Sequence, residues 1–370
     1  MRTHTGPHAH SARVERWLGA GEAERLSRAM RGYHCADPIP VANMPGRICV
    51  NSDGEFVGRI LGGSEACLAE RMRDELRRRK LYRAIRYGKA TRQHGGFASL
   101  SDLISEMSGG KSQYFTVAKT GVTGVANVAN SLWDVGAVPA AGGTSAAAAG
   151  STPDNTTVGG LMQANASGSD TLHFVGATMT ATVGNNLLLM YDRFFQVNHN
   201  IATDPQSVSG VSSRYQDTTS KGSFITVFVT TALGAGTPTY TITYMDQDGN
   251  TAEAATAQTI VGSAIARRFP FATSVGNGWF VPLNSGDTGA RKVTNLDLSA
   301  ASTGNVDVVL GKPLVWIPTP VANQGVIIDG INSMINLVEI IDNACLAFME
   351  INKGATTATS YNGQIILASG

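Results

Sequence analysis

The amino-acid sequence predicts a mainly β protein, and three observations support that fold class. Glycine is frequent, with 42 residues in a chain of 370, and charged residues make up only 15% of the chain, which suits sheets joined by many turns. Short segments that alternate apolar and polar residues recur from about residue 161 to the C-terminus. Long helical patterns do not interrupt them, so we expect a C-terminal β-sandwich domain of jelly-roll type.

The clearest strand pattern lies in residues 278–318. Alternation there predicts strands over 280–283, 292–298 and 305–310, and the last continues through Gly311-Lys312-Pro313 into 314–317. Residues 325–341 are more continuously apolar and are expected to form a buried excursion. Further strands are predicted over 171–179, 187–197, 223–231, 240–245, 344–351 and 364–368.

Composition divides the chain into three parts. Residues 1–97 are predicted to form a basic N-terminal arm with short helices, and 98–160 to hold short helices and a Gly/Ala/Ser-rich linker before the β-sandwich domain of 161–370. Ser99 and Asp102 form a capping box that opens a short helix. The linker proper, 135–160, has too little apolar surface to fold alone, so we expect it to be ordered only against a partner.

The charges are unevenly distributed. Residues 1–95 carry 18 basic and 10 acidic residues, a balance of +8, and the remainder carries 11 against 18, a balance of −7. The basic part therefore predicts an anionic partner, either nucleic acid or the acidic surface of a protein, including another copy of this chain. Seven residues on one predicted helix are the candidate contact: Arg77, Arg78, Arg79, Lys80, Arg83, Arg86 and Lys89. They suit phosphate contacts along DNA, but also a solvated helix face or a protein contact.

Two segments resemble phosphate-binding and calcium-binding loops, but each lacks a glycine that the loop requires. Gly109-Gly110-Lys111-Ser112 ends like a phosphate-binding loop, but the required earlier glycine is replaced by Ser105. Residues 246–250 begin like a calcium loop, but Thr251 stands where that loop needs glycine, so a hairpin turn is the better interpretation. We therefore expect no cofactor and no metal.

Neither cysteines nor charged pairs indicate an enzyme. The four cysteines make no CxxC pair, although a Cys35–Cys49 bridge is sterically conceivable. Asp192 and Arg193 interrupt an apolar strand, where a structural ion pair or an interface is the expected role. The N-terminus lacks the apolar run of a signal peptide, and apolar stretches stay short of the ~18 residues of a membrane span. We expect synthesis in the cytoplasm and no membrane contact.

Several stretches resemble structural proteins of tailed bacteriophages, and the similarity covers roughly residues 98–370. They are LMYDR at 189–193, RY at 214–215, YTITYMDQDG at 240–249, VPLNSGDTGARKV at 281–293 and GKPL at 311–314. The resemblance implies a virion protein, assembled in the host cytoplasm, and no catalytic residue. It favours the head, as a capsid decoration (cement) protein or a related shell subunit.

Such a protein would contact the major capsid protein and copies of itself, as a homo-oligomer for which a trimer is one option. Its N-terminal region would anchor it on the capsid. The turn that carries Asn284, Asp287 and Arg291 is the candidate subunit contact. Three alternatives stay open: a tail or neck component, a minor capsid protein that contacts DNA through the basic helix 77–89, and a carbohydrate-binding sandwich at the virion surface.

Overall fold

The structure, a computed structural model, describes residues 97, 99–121, 126–272, 279–331, 337–352 and 357–370, and the backbone of three short strands nearer the N-terminus. The chain divides into two compact units, Met1–Arg83 and Ala84–Gly370. In the first, β1 (His34–Cys35), β2 (Arg47–Val50) and β3 (Phe56–Ile60) form an antiparallel sheet. β2 pairs with both β1 and β3, and the register places Cys35 opposite Cys49.

The second unit is mainly β, with antiparallel sheets, which confirms the predicted fold class at that level; the jelly-roll arrangement stays a prediction. Helix α1 spans Leu100–Ser108, and the Asp102 N–H donates to Ser99 Oγ (3.1 Å), as the capping box predicts. The strands are β4 Ser112–Thr120, β5 Val128–Ser131, β6 Leu172–Ala181, β7 Asn186–Asn200, β8 Gln206–Ser207, β9 Phe224–Thr231, β10 Thr239–Asp246, β11 Glu253–Ala254, β12 Gln258–Thr259, β13 Ala290–Leu298, β14 Asn305–Thr319, β15 Val326–Asp329, β16 Val338–Ile340, β17 Leu346–Asn352 and β18 Ser360–Ser369.

The central sheet has the strand order β5-β17-β7-β14-β9. Its two longest strands, β7 and β14, have 15 residues each and pair from Asn186–Thr319 at one end to Asn200–Asn305 at the other. Almost every residue of β7 is buried, the charged Asp192 included. Burial on both sides of a strand explains why this segment reads as a nearly continuous apolar run instead of alternating.

Residues 267–269 join the two edges of the central sheet. On β5, the Ser131 N–H donates to the Arg267 carbonyl (2.7 Å). On β9, the Val229 carbonyl accepts from the Arg267 N–H (2.6 Å), and the Val229 N–H donates to the Arg268 carbonyl (2.9 Å). Both edge strands therefore bond to the same short segment, which occupies backbone groups that an open edge would offer to another chain.

Two further sheets flank the central one. The β6 sheet has the order β15-β6-β18-β4, with β16 also on β6; the β10 sheet has the order β11-β10-β13-β8, with β12 also on β10. Leu188 and Met190 of β7 share a core with the β6 sheet. Leu189 and Tyr191 belong to a second core, which includes Tyr240 of the β10 sheet. Successive residues of β7 thus serve different cores, as the period of two along a strand requires.

The segment 98–160 differs from its prediction of short helices and a linker. After α1 it forms β4, which pairs with β18 along its whole length, and β5, which pairs with β17. Aromatic and β-branched residues, Tyr114 to Val117, favour a strand at β4. The segment therefore supplies strands to the same sheets as residues 161–370.

The linker lies against its own chain, so the expectation that it needs a partner to be ordered is wrong. Ser151 exchanges backbone hydrogen bonds with Gln196 of β7 (2.8 and 3.0 Å). The Trp133 indole N–H donates to the Gly143 carbonyl (2.8 Å). On this side of β7, β17 pairs only with residues 186–192. The linker lies beside the rest of the strand. These bonds offset the entropy lost on ordering it.

Two other predicted segments are corrected. The predicted strand 280–283 is reduced to a single bridge between Val281 and Ile225, because the chain turns on both sides of it. The described part of 325–341 is not a buried excursion, since it forms β15 and β16, and Ile327 is 73% exposed.

Candidate functional site

Asp192 and Arg193 are neighbours on β7, but each forms an ion pair with a different residue. Both oxygens of the buried Asp192 carboxylate accept from Arg214, from Nε (3.1 Å) and Nη2 (3.0 Å). The Arg193 guanidinium, 1% exposed, lies 3.4 Å from Asp307 Oδ2. These charges serve the fold, as the sequence indicates, but they do not pair with each other. Successive strand residues point to opposite sides.

The Asp192 carboxylate has further donors around it. It accepts from the Cys345 N–H (2.8 Å) and from the Tyr215 hydroxyl. Burial raises the pKa of Asp192, and the Arg214 charge opposes that rise. Burial also raises the pKa of the Cys345 thiol to about 12, so this sulfur stays protonated and a poor nucleophile.

The Arg193 guanidinium is held on several sides. Its Nε donates to Gln196 Oε1 (2.5 Å), and its central carbon lies 4.7 Å from the centre of the Trp133 ring. Its partner Asp307 also accepts from Asn198 Nδ2 (2.9 Å). Buried charges are tolerated when paired and hydrogen-bonded in this way. The polar groups of these side chains are bonded to one another, so their role is to hold the strands and the linker together.

Both networks tie the linker to β7. Arg214 Nη2 donates to the Pro153 carbonyl (2.6 Å), and Gln196 Nε2 donates to the Gly143 carbonyl (3.4 Å). The linker backbone also packs closely against the loop after β8, since a Cβ at Gly210 would lie 1.8 Å from the Ala149 carbonyl oxygen. The chemistry of this site is therefore structural: charged side chains fix a weakly apolar segment on the longest strand.

Arg291, part of the predicted subunit contact, uses its donors within the chain. Its Nη1 donates to the Gln216 carbonyl (2.7 Å) and its Nε to the Gln247 carbonyl (3.1 Å), which also accepts from Nη2. Arg291 therefore joins the loop before β9 to the turn after β10. Its guanidinium holds two turns in place.

The other two residues of that predicted contact differ in their surroundings. Asp287 accepts from the Tyr244 hydroxyl, which itself accepts from the Asn284 N–H (2.8 Å). Burial and the bond to Asp287 raise the pKa of Tyr244. The Asn284 side chain is exposed and donates to Glu253 Oε2 (2.7 Å). The structure thus brings all three predicted residues to one cluster of turns, with Asn284 on its outside.

A buried histidine links the central sheet to the β10 sheet. His199 Nδ1 lies 2.8 Å from the Tyr240 hydroxyl, and the two rings stack with centroids 5.6 Å apart. Burial lowers the pKa of His199, so the ring is neutral in the folded protein near pH 7.

The seven basic residues proposed to contact an anionic partner, from Arg77 to Lys89, lie outside the described residues. In the described ranges, no group of three or more His, Cys, Asp or Glu residues is placed to hold a metal ion. The part of the chain that the structure describes contains no helix that is long and apolar enough to span a membrane. Comparison with protein families, curated proteins and solved structures finds no match to this chain.

Sequence reasoning found Asp192 and Arg193 but missed their partners. Arg214 lies 22 residues after Asp192, and Asp307 lies 114 residues after Arg193. A buried charge in an apolar strand predicts that a partner exists, but no local pattern indicates which one.

Proposed function

We propose that this chain is a structural subunit of a tailed-phage virion, a head decoration (cement) protein or a related shell protein. Its N-terminal region anchors it on the major capsid protein, and its β-rich part, a sandwich of jelly-roll type, associates with further copies. One observation carries the proposal: the separate stretches that resemble phage structural proteins meet in space, where they form the contacts that build the fold.

Three of these stretches meet at β7. Asp192 of LMYDR and Arg214 of RY form the bidentate ion pair. Gly311 of GKPL pairs with β7, and a Cβ there would lie 2.8 Å from the Tyr191 ring and 2.5 Å from the Phe224 ring. Glycine at this position therefore lets two aromatic rings pack against the backbone.

The other two stretches meet at the β10 sheet. β10 contains the first seven residues of YTITYMDQDG and pairs with β13, which begins with ARKV, the last four residues of VPLNSGDTGARKV. Gln247 Oε1 accepts from the N–H groups of Thr288 (2.8 Å) and Gly289 (3.1 Å). Arg291 donates back to the Gln247 carbonyl. Residues from one stretch thus fix the backbone of the other.

These contacts support a structural role because the polar residues of the five stretches fix strand register and turns. A shell subunit needs a stiff body with defined faces for its neighbours, and hydrogen-bonded buried charges can impose one arrangement of strands. The central sheet adds to this, because residues 267–269 bond to backbone groups on both of its edge strands.

The test is the position of the chain in purified particles of the phage that encodes it. Heads and tails are separated, and peptides of this chain are quantified by mass spectrometry relative to the major capsid protein. We expect the chain in the head fraction, in many copies per particle. Its absence from particles would refute the proposal, and its presence in tails alone would favour the tail or neck alternative.

A further inference from the structure

Two cysteines of the first unit lie directly opposite each other in its sheet. In the antiparallel pair of β1 and β2, the register matches Cys35 with Cys49 and His34 with Val50. Directly opposite residues of an antiparallel pair have Cα atoms about 4.5–5.5 Å apart. Two cysteines can form a disulfide when their Cα atoms are roughly 4.4–6.8 Å apart. The strand register therefore places this pair within the range that a disulfide requires.

The row of the sheet that contains this pair holds one further residue. The strand order is β1-β2-β3, so β1 lies at the edge of the sheet. On the other side of β2, the residue opposite Cys49 is Gly58 of β3. Directly opposite residues share a face of a sheet, and glycine brings no side chain to that face. Within this row, the two cysteines are the residues that carry side chains.

We propose that Cys35 and Cys49 form a cross-strand disulfide after the protein leaves the reducing cytoplasm. Disulfides are rare in the cytosol and persist in oxidising surroundings, including virion surfaces. The timing rests on the proposed function, since a released particle carries the chain into such surroundings. The bond itself needs the strand register and an oxidant.

The oxidant is a small-molecule disulfide, such as oxidised glutathione. The thiolate of one cysteine attacks a glutathione sulfur, forms a mixed disulfide and releases one glutathione thiolate. The thiolate of the second cysteine then attacks the protein sulfur of the mixed disulfide, which forms the Cys35–Cys49 bond and releases the second glutathione thiolate. The two protein thiols lose two electrons and two protons, and the oxidant takes up both and becomes two molecules of reduced glutathione.

The bond would fasten an edge strand that has few other links to the sheet. β1 has two residues, both paired with β2, and residues 36–46 connect the two strands. Three of the connecting residues are prolines: Pro38, Pro40 and Pro45. A disulfide stabilises mainly by reducing the conformational entropy of the unfolded chain. The N-terminal region, which the proposed function assigns to anchoring, would thus become harder to unfold outside the host.

The remaining cysteines provide a competitor and an internal control. Cys67 lies outside the described residues and follows Cys49 in the sequence at about the separation by which Cys35 precedes it, so it is the competitor for Cys49. Cys345 is buried in the second unit, where burial raises its thiol pKa to about 12. Because the thiolate is the reactive form, Cys345 should stay reduced.

The test maps disulfides in the isolated full chain. The reduced protein is incubated with oxidised glutathione, the remaining thiols are blocked with N-ethylmaleimide, and a tryptic digest without reductant is analysed by mass spectrometry. Cleavage after arginine yields peptides 32–47, 48–59 and 60–71, each with one cysteine. We expect the chain to lose two of its four thiols, with peptide 32–47 linked to peptide 48–59.

Variants and denaturant separate strand register from proximity along the chain. Cys67→Ser should form the same linked peptides as wild type. Cys35→Ser should carry glutathione on Cys49 instead, because the thiol for the second exchange is missing. In concentrated urea, links from Cys49 to Cys35 and to Cys67 should both appear, because the entropy of closing a flexible loop depends only weakly on its length.

Mapping also tests the timing. Chain from infected cells, with thiols blocked before the cells are opened, should show Cys35 and Cys49 free, and chain from released particles should show them linked. A linked pair inside the cells, or free thiols in released particles, would contradict the timing.

Three results with the isolated chain would overturn the inference. They are thiols of Cys35 and Cys49 that stay unlinked in the native chain, a link mainly between Cys49 and Cys67, and the same mixture of links in native buffer and in urea. These readouts do not depend on where the chain lies in a phage particle. A failed link can therefore be told apart from a failure of the proposed function, which is the absence of the chain from particles.

Discussion

Replacing Arg214 by alanine tests whether buried charges hold the linker and β7 together. The change removes both hydrogen bonds to Asp192 and those to the carbonyls of Pro153 and Arg193. Asp192 is 0% exposed, so its charge would stay buried with only neutral donors, such as the Cys345 N–H. Loss of one partner of a buried pair costs roughly 3–5 kcal/mol. We expect Arg214→Ala to lower the free energy of unfolding by that amount.

Urea denaturation followed by circular dichroism measures the change. Arg267→Ala is the matched control, since Arg267 Nε lies 3.0 Å from Asp134 Oδ2 but both side chains are 33% exposed. A pair this open to solvent contributes about 0–1 kcal/mol. A loss for Arg214→Ala no larger than that of Arg267→Ala would refute the structural role of the Asp192–Arg214 pair.

The same variant has a defined pH dependence. Burial raises the pKa of Asp192 and Arg214 opposes the rise, so removing Arg214 raises that pKa further in the folded state. When a carboxyl group has a higher pKa in the folded than in the unfolded state, the free energy of unfolding decreases as pH rises, because the folded state must then hold the disfavoured charge. The deficit of Arg214→Ala relative to wild type should therefore be larger at pH 8 than at pH 5; an equal deficit at both would contradict this electrostatic origin.

Three further predictions concern other parts of the fold. Because burial lowers the pKa of His199, the stability of the wild type should fall as pH drops below about 6.5. His199→Gln should reduce the fall in melting temperature between pH 7 and pH 5. An equal fall in the variant and the wild type would contradict this. Gly210→Ala should cost about 1–3 kcal/mol because of the close linker backbone, while Gly136→Ala, with open space around its Cβ, should cost little in the same urea titration. A fragment of residues 84–370 should melt cooperatively, and 161–370, which lacks β4 and β5, should not; a cooperative transition in the shorter fragment would refute the role of those strands.

Local alternation was enough to predict strands such as β10 and β13, because one side of each faces a core. It also predicted that the strand over 305–310 continues through Gly311-Lys312-Pro313 into 314–317, and β14 confirms this, with irregular register between Leu310 and Gly311 and between Pro313 and Val315. A bulge keeps a strand going through residues that look like a break. The pattern located the whole strand but could not reveal where its register is irregular.

β4 could not be predicted in this way, because a charged residue occupies one of its inward positions. Lys119 is 2% exposed, and its Nζ donates to the Val135 carbonyl (2.8 Å). Burial lowers the pKa of this amine to about 8. A lysine in a strand normally indicates the solvent side, so the alternation is concealed.

The candidate site depends even more on tertiary structure. The ion pairs of Asp192 and Arg193 form only once distant segments have packed beside β7. Sequence patterns report which residues are buried, whereas these features depend on which strands are neighbours.

Cryo-electron microscopy of the intact particle tests the central claim most directly. The proposal predicts density for residues 97–370 on the head, repeated with the symmetry of the shell. Density for this chain in the tail, or a head map fully accounted for by other proteins, would contradict it.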